Sequence, residues 1–592
     1  MSKALDLTIA IGGAAGQGIA TPGNVLARIF ARRGLHLYSY NAHQSIIRGG
    51  HILLMLRVGQ AEVLTHGDRL DLLLCLNQDT MDRHLRLLGE GARVLYDSDQ
   101  IHPGEPAAGV RLCPMPVKQL TGESKNKVIQ NTLSLGVMMG LLGVEFDVLG
   151  EVLTQSLGKK GPEVVQENIS VARAGYDHAV KNFEPFPEPL PRGPKPLAVW
   201  AGNDALAIGG AAAGVKFYAA YPMSPASGVL HWMAANGRGL GIMVRQVEDE
   251  IGVANMTIGA AHTGVRAMCA TSGGGFALMT EAVGAAAMME VPCVFINVMR
   301  AGPSTGVPTK TEQGDLRQVL GASQGDFERF IVAPLNALDA YATMPELFNL
   351  VDKAQCPGIV LSDLLISEGT FSVDPDAVDL QPQIDRGALV QDPSPNGDYH
   401  RYADTESGIS PRVLPGYEGF VHTVATDEHD ESGVLISDEF TNPFIRRQMV
   451  EKRARKFETI ARDVPVPALE GPKKAEVTLV GFGSTHGVIK EAIGRLAEHG
   501  VVANQLSVKW IVPLHADAIT AMLGKAKKII IVENNYSGQF AEYLRGQTGV
   551  TAHAHIRKYD GEPLTPRHIV HGVLDIMSQD TKVYVPTQEI TV

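Results

Sequence analysis

Short apolar runs alternate along this chain with glycine turns and helix-like segments, and this alternation restricts the possible folds more than any other feature. The first unit consists of the run Leu7 to Ile11, the glycine-rich segment Gly12 to Gly18, and a segment in which Val25, Leu26 and Ile29 follow helical spacing. Strands that are joined through helices tend to pair in parallel. The pattern therefore predicts an α/β fold with mainly parallel sheets covered by helices.

The same unit recurs in the middle and at the end of the chain. Between about Asp374 and Ile460 the sequence is instead polar and rich in turns, and it ends in a charged helix. A connection of this length is uncommon unless it packs on a surface or serves a site. After a first unit at Leu197–Gly210, buried strands are expected over Lys216–Tyr221, Gly241–Arg245, Val265–Cys269, Cys293–Val298, Val477–Val480, Val501–Val508 and Lys528–Val532.

Two proline-rich stretches mark domain limits. Glu184 to Pro196 (EPFPEPLPRGPKP) carries prolines too densely for a helix or a central strand, and Asp463 to Pro472 precedes a new α/β pattern. At roughly 100 to 200 residues per domain, the 592 residues correspond to three or four domains. We predict domains over residues 1–184, 197–373 and 471–592, with residues 374–470 as a connecting segment.

The composition argues against several classes of protein. A net charge of −12 is unfavourable for a general nucleic-acid binder. The five cysteines include no CxxC pair, so we expect no iron-sulfur or zinc site in this chain, and their odd number fits reduced thiols in the cytoplasm. Asp6 interrupts a potential signal peptide, and Pro292 with two glutamates interrupts the most apolar later stretch. We therefore expect neither a signal peptide nor a membrane span.

Two loops hold candidate binding residues. In HQSIIRGGH, Arg48 precedes two glycines, in a turn that could direct its guanidinium toward an anion, although a solvated arginine fits the same pattern. In YPMSP, two prolines restrict the backbone around Ser224, so that its hydroxyl would be held in place. Ser224 could equally cap the N-terminus of the helix that follows.

A single carboxylate interrupts an apolar helix face in RQVEDEIGVANMTIGAA. Counted from Val247, this face contains Glu250, Ile251, Ala254 and Ile258. A buried carboxylate without a partner is costly, so Glu250 requires a ligand or a neighbour. Periodicity alone does not favour Glu250 over the neighbouring Asp249, which could simply stabilise the start of the helix.

Two further strand ends carry glycine-rich loops. TSGGG, beginning at Thr271, suits a close approach of the backbone to a ligand, and RAGPSTGVPT, beginning at Arg300, places a cation among hydroxyl residues. Ligands of open α/β sheets bind at such strand ends. A nicotinamide site at Gly12 to Gly18 is a weak alternative, because the strict GxGxxG spacing and the later acidic residue are missing.

Together these motifs resemble the α subunit of the 2-oxoacid:ferredoxin oxidoreductases, in the 2-oxoglutarate type with a γ domain fused at the N-terminus. The resemblance implies a γ-type domain over residues 1–184, a thiamine-diphosphate-binding pyrimidine domain over 197–373 and a transketolase C-terminal-like domain over 471–592. The motifs are GGAAGQG, SIIRGGH, YPMSP, EDEIG, TSGGG, RAGPSTGVPT, GISPR, DEHDESG and VENNYSGQF.

Members of this family use thiamine diphosphate to decarboxylate a 2-oxoacid, pass two electrons to ferredoxin and transfer the acyl group to coenzyme A. The resemblance implies interconversion of 2-oxoglutarate with succinyl-coenzyme A and carbon dioxide. It makes Glu250, Ser224 and Arg300 the catalytic residues, and Arg48, Ser224 and Arg300 the substrate-binding ones. The implied cofactor contacts are Glu250, Tyr221, Pro222, Thr271, Ser272 and Gly273.

The chain lacks the GDG motif that would hold a diphosphate through magnesium. It also lacks the cysteines that would hold an iron-sulfur cluster. The resemblance therefore implies a β subunit that brings Mg²⁺ and a 4Fe-4S cluster, in an α2β2 heterotetramer. A pyruvate or branched-chain 2-oxoacid substrate remains an alternative. A scaffold subunit without catalysis is a second one, which the retention of Glu250, Ser224 and Arg300 disfavours.

Overall fold

The structure, a computed structural model, describes residues 5–44, 49–122, 129–390, 399–436 and 441–587. The expected first strand and helix are present, but the strand extends to Ala15 and the helix begins at Ala20, so that Pro22 lies in the first helical turn, where proline is tolerated. The elements of the N-terminal region are β1 (Asp6–Ala15), α1 (Ala20–Arg32), β2 (His36–Ala42), β3 (Gly49–Gly59), β4 (Leu72–Cys75), α2 (Gln78–His84), β5 (Arg93–Asp97), β6 (Arg111–Met115), α3 (Val117–Thr121), α4 (Ile129–Leu141), α5 (Phe146–Leu157) and α6 (Pro162–Asn182).

The middle region alternates short strands and helices, as the pattern predicts. Its elements are β7 (Ala198–Ala201), α7 (Gly202–Ala212), β8 (Val215–Ala220), α8 (Ser227–Asn236), β9 (Met243–Gln246), α9 (Glu250–His262), β10 (Arg266–Ser272), α10 (Gly273–Met288), β11 (Val294–Met299), α11 (Leu316–Leu320), β12 (Phe330–Val332), α12 (Ala337–Ala354), β13 (Gly358–Asp363), α13 (Leu364–Glu368) and β14 (Thr370–Val373).

A long helix follows the turn-rich connection and leads into the C-terminal region. The elements are α14 (Pro443–Ala461), β15 (Leu469–Glu470), β16 (Val477–Gly481), α15 (Thr485–Glu498), β17 (Ala503–Ser507), β18 (Trp510–Val512), α16 (Ala516–Leu523), β19 (Ile529–Glu533), α17 (Gln539–Thr548), β20 (Ala554–Arg557), α18 (Pro566–Gln579) and β21 (Val583–Tyr584). Among the helices that the structure describes, none has both the length and the apolar character needed to cross a membrane.

These strands form three sheets. The first has the order β6-β5-β4-β1-β3-β2-β14-β7 and is mixed, because β3 runs antiparallel to β1 and β2. The second, β18-β12-β13-β11-β10-β8-β9, and the third, β15-β17-β16-β19-β20-β21, are parallel except at one edge strand each. The predicted α/β class with mainly parallel sheets is confirmed.

Two of the sheets contain strands from both sides of a proline-rich stretch. The middle-region strands β7 and β14 complete the first sheet, and β18 from the C-terminal region pairs with β12, with Val512 opposite Ile331. The three regions are thereby joined by backbone hydrogen bonds as well as by side chains. The domain limits at residues 184, 374 and 471 stay predictions.

Three strands of the second sheet determine where a site can form. β10 lies between β8 and β11 and is parallel to both. Their carboxyl ends therefore lie side by side at one edge of the sheet. The loops that begin at Tyr221 and Arg300 follow β8 and β11 and converge there with the start of α10. The glycine-rich loop expected at TSGGG is instead the end of β10 and the first turn of α10, which begins at Gly273.

Candidate active site

A cleft of about 830 Å³ opens at this edge of the second sheet. Loops after β8 and β11 and the first turns of α10 form one side, and residues that follow β19 and β20 form the other. The cleft thus lies between the middle and C-terminal regions, where α/β proteins commonly bind ligands. Its walls include Met223, Gly273, Arg300, Glu312, Asp315, Asn535 and Tyr559.

Arg300 is held in the cleft wall without a counter-ion. Its side chain follows β11, is 9% exposed, and donates a hydrogen bond from Nη1 to the carbonyl oxygen of Ser224 at 2.7 Å. Its Nε is buried without a hydrogen-bond partner, and no carboxylate of the described residues lies within ion-pair distance. Burial lowers its pKa more than Asp315 raises it. The guanidinium is therefore oriented but not neutralised, as in a site that receives an anion.

The YPMSP segment lies beside Arg300. Tyr221 is half-buried, whereas Pro222 and Ser224 are exposed. The helix that follows begins only at Ser227, with Ala226 as its N-cap. The interpretation of Ser224 as a helix cap is therefore wrong, and the residue is exposed beside Met223, which lines the cleft.

The ambiguity between Asp249 and Glu250 is resolved by the start of α9. Asp249 is the N-cap, and its side chain accepts a hydrogen bond from the backbone N-H of Gly252 at 2.7 Å. Glu250 is the first helical residue and is 4% exposed. The predicted helix face is partly wrong: Ile251 is 52% exposed, because Val247 precedes the helix and cannot set its register.

Glu250 and Thr271 meet at Gly275. A Cβ atom at Gly275 would lie 2.1 Å from Thr271 Oγ1 and 2.7 Å from Glu250 Oε1, so only glycine fits there without rearrangement. Thr271 Oγ1 and Ser272 Oγ are buried without hydrogen-bond partners. Within the part of the chain that the structure describes, no hydrogen bond reaches the carboxylate of Glu250. The buried, unpaired hydroxyls of Thr271 and Ser272, together with the carboxylate of Glu250, fit a polar ring that would donate and accept hydrogen bonds, such as an aminopyrimidine.

Two acidic residues in the cleft were not singled out from the sequence. Asp315 accepts a hydrogen bond from Asn297 Nδ2 at 3.1 Å, and burial raises its pKa to about 6 although Asn297 and Arg300 lower it. Burial, together with Asp315 and Asp560, raises the pKa of Glu312 to about 7. Their sequence signal is the stretch TKTEQGD, which directly continues the RAGPSTGVPT motif.

The C-terminal region fixes this acidic loop in place. Asn535 donates from Nδ2 to the carbonyl oxygen of Gln313 at 3.1 Å, and Gln539 donates from Nε2 to that of Gly314 at 2.7 Å. These contacts explain why the VENNYSGQF motif, distant in sequence, belongs to the cleft. At its mouth, the rings of Tyr536 and Tyr559 pack edge to face with centroids 5.1 Å apart.

The remaining candidates lie outside the cleft or outside the described residues. Arg48 falls in residues 45–48, which the structure does not describe. The glycine-rich segment at Gly12 is mostly strand: Gly13 pairs with Ile52, and Gln17 Oε1 accepts a hydrogen bond from the Ala14 N-H at 2.6 Å. The expected loop over Gly12 to Gly18 is therefore shorter than predicted, which weakens the nicotinamide alternative further.

Three stretches of the chain match known families. Residues 8–178 match the family described as pyruvate ferredoxin/flavodoxin oxidoreductase. Residues 209–443 match pyruvate flavodoxin/ferredoxin oxidoreductase, thiamine diphosphate-binding, and residues 475–569 match pyruvate:ferredoxin oxidoreductase core domain II. The cleft lies between the second and the third of these stretches.

The chain also matches relatives over most of their length. The chain is 30% identical to 2-oxoacid:ferredoxin oxidoreductase 2, subunit alpha, of Aeropyrum pernix over 97% of this chain and 98% of the relative. It is 28% identical to the 2-oxoglutarate oxidoreductase subunit KorA of Mycobacterium tuberculosis, covering 92% and 87%. A solved 2-oxoglutarate:ferredoxin oxidoreductase from Magnetococcus marinus, with 2-oxoglutarate, coenzyme A and succinyl-CoA bound, superimposes with a TM-score of 0.90 at 31% identity, covering 96% and 99%.

Proposed function

The chain belongs to the family of 2-oxoacid:ferredoxin oxidoreductase α subunits, and from this premise we propose that it is the α subunit of a 2-oxoglutarate:ferredoxin oxidoreductase. The reaction would interconvert 2-oxoglutarate, coenzyme A and oxidised ferredoxin with succinyl-coenzyme A, carbon dioxide and reduced ferredoxin. The observation that carries the proposal is Arg300, a buried cation without a counter-ion in the wall of the cleft.

Arg300 suits the carboxylate next to the keto group of a 2-oxoacid. Its bond to the carbonyl oxygen of Ser224 fixes the plane of the guanidinium, and its remaining N-H groups can pair with two carboxylate oxygens. The hydroxyl of the exposed residue Ser224 can bond to the same substrate. Arg48 would meet the distal carboxylate that distinguishes 2-oxoglutarate from pyruvate.

The residues around Glu250 fit the aminopyrimidine ring of thiamine diphosphate. Glu250 and Thr271 would hold the ring, with Tyr221, Pro222, Ser272 and Gly273 nearby. When bound, this cofactor supplies the carbanion that attacks the keto carbon. The carboxylate of Glu250 would hold a proton at a ring nitrogen, which favours the tautomer whose imino group acts as the base.

The complete enzyme would require a second chain. We propose a β subunit that binds the diphosphate through Mg²⁺ and carries a 4Fe-4S cluster, in a cytoplasmic α2β2 heterotetramer that reduces ferredoxin. The five cysteines of this chain are buried free thiols and include no CxxC pair, so we place the cluster in the second chain.

Steady-state kinetics of the reconstituted complex would test the substrate. The complex would be supplied with 2-oxoglutarate, pyruvate and a branched-chain 2-oxoacid in turn, with coenzyme A and an artificial electron acceptor. We expect the highest kcat/KM for 2-oxoglutarate. A higher value for pyruvate or for the branched-chain acid would contradict the assignment and favour that substrate instead.

A further inference from the structure

Glu312 lies in the cleft wall beside Arg300. It belongs to the loop between β11 and α11. Both side chains line the same cleft. Among the residues that the structure describes, no cation lies within ion-pair distance of Glu312. Its carboxyl group is therefore available to a bound molecule.

The position of Arg300 indicates which atom of a substrate would face Glu312. Arg300 is nine-tenths buried and its Nε has no partner, which is a separate indication that the cleft receives an anion. In a 2-oxoacid the keto carbon is bonded directly to the carboxylate carbon. A carboxylate paired with Arg300 thus places the keto group in the cleft that Glu312 also lines.

We propose that Glu312 exchanges a proton with the C2 oxygen of the 2-oxoacid, an inference that rests on the proposed function and adds a catalytic residue to it. As C2 is attacked, the carbon-oxygen double bond becomes a single bond, the O-H bond of Glu312 breaks and the proton passes to the C2 oxygen. When the carbonyl re-forms in the acyl product, that proton returns to the carboxylate. The exchange consumes no external acid, and the two electrons of the oxidation still pass to ferredoxin.

The charges around Glu312 suit this role. Burial and the carboxylates of Asp315 and Asp560 raise its pKa to about 7, against the Gly302 N-H, which lowers it. Lys558 pairs with Asp560 and limits the contribution of that carboxylate. A general acid is most effective when its pKa lies near the working pH, because both protonation states are then populated.

The first test measures kcat and its pH dependence for the full chain reconstituted with its β subunit. For Glu312→Gln we expect kcat to fall by about 10²- to 10⁴-fold with little change in KM for 2-oxoglutarate. In the wild type, kcat/KM should decrease as pH rises through about 7, where the proton donor is lost, and Glu312→Gln should lack this decrease. Asp560→Asn should move the decrease to lower pH, because it removes a negative charge.

A matched control and a second readout separate this role from a structural one. Glu498→Gln changes an exposed glutamate of α15 in the same way and should retain wild-type kinetics. Infrared spectroscopy of the full chain should show carboxyl groups that titrate near neutral pH, and Glu312→Gln should reduce the amplitude of this titration while Asp315, with a pKa of about 6, still contributes.

The outcomes distinguish this proposal from the proposed function. Wild-type kcat and an unchanged pH profile in Glu312→Gln, with an active wild type, would overturn the role of Glu312 alone. A neutral-pH infrared titration of unchanged amplitude in Glu312→Gln would do the same. A wild-type complex that turns over none of the three 2-oxoacids would overturn the proposed function, and this proposal with it.

Discussion

The guanidinium of Arg300 donates a hydrogen bond from Nη1 to the carbonyl oxygen of Ser224 at 2.7 Å. This bond joins the ends of β11 and β8, which are separated by β10 in the second sheet. It therefore connects two loops of the cleft across the junction of β10 and α10. Because the acceptor is a neutral carbonyl, the bond orients the cation without neutralising it, which leaves its charge for a substrate.

Replacing Arg300 with lysine should weaken substrate binding. Lysine keeps the charge but loses the planar fork that bonds to Ser224 and to a carboxylate at once. The loss of one charge-assisted hydrogen bond costs about 1.5–3 kcal/mol, or roughly 10- to 150-fold in kcat/KM for the 2-oxoacid. Steady-state kinetics of the complex measure this effect. Arg447→Lys, at an exposed position of α14, is the control, and equal values for both variants would count against a binding role for Arg300.

Glu250→Gln should abolish most of the activity while the protein stays folded. The amide cannot hold the proton that a carboxylate holds at a ring nitrogen, so we expect a decrease in kcat of about 10²- to 10⁴-fold. Asp249→Asn is a matched control at the adjacent position, because asparagine is an equally good N-cap. Unchanged turnover in Glu250→Gln would favour a scaffold role for this chain.

Gly275→Ala should disrupt the close packing of α10 against Glu250 and Thr271. The added methyl group would lie 2.1 Å from Thr271 Oγ1, and overpacking of this kind typically costs about 1–3 kcal/mol. We expect a lower unfolding temperature and weaker cofactor binding by calorimetry. Gly259→Ala in α9 has open space around the new methyl and should instead stabilise by about 0.5–1 kcal/mol. Equal stability of the two variants would contradict the tight packing at Gly275.

The sequence alone predicted much of this arrangement. Strand ends at Tyr221, Thr271 and Arg300 were expected to carry the site, because buried strands and glycine turns are local signals. The family and the fold class that the motifs indicated are confirmed by the relatives and by the structure. The roles of individual site residues stay predictions.

What the sequence could not predict depends on long-range contacts. Glu312 and Asp315 become cleft residues only because Asn535 and Gln539 hold their loop from more than 200 positions away. The register of α9 was also missed, since an N-cap at Asp249 depends on a backbone conformation, with a φ of 70°, that periodicity does not encode. The strands β7 and β14 join the first sheet for the same long-range reason.

Glu290→Gln should destabilise the attachment of α14 to the middle region. Glu290 Oε1 accepts a hydrogen bond from Lys452 Nζ at 2.7 Å, and its Oε2 accepts one from Lys456 Nζ at 2.9 Å, with all three side chains almost fully buried. Removing one partner of a buried pair costs about 3–5 kcal/mol. We expect a lower midpoint of urea unfolding, whereas Glu451→Gln on the exposed side of α14 should change it little.

The pH dependence of this effect follows from the same cluster. Burial alone raises the pKa of Glu290, but Lys452, Lys456 and Arg401 outweigh it and hold the pKa well below its ordinary value. As the pH falls, Glu290 is therefore protonated in the unfolded chain at a higher pH than in the folded one. The stabilisation from its carboxylate is present above about pH 4.3 and is lost as the pH falls below that value. Burial lowers the pKa of Lys452 to about 8 although Glu290 raises it. Deprotonation of this lysine would therefore limit the loss of stability in Glu290→Gln. The difference in urea midpoint between wild type and Glu290→Gln should be largest near neutral pH and should shrink in acid; a difference that stays constant into acid would contradict an ionised Glu290.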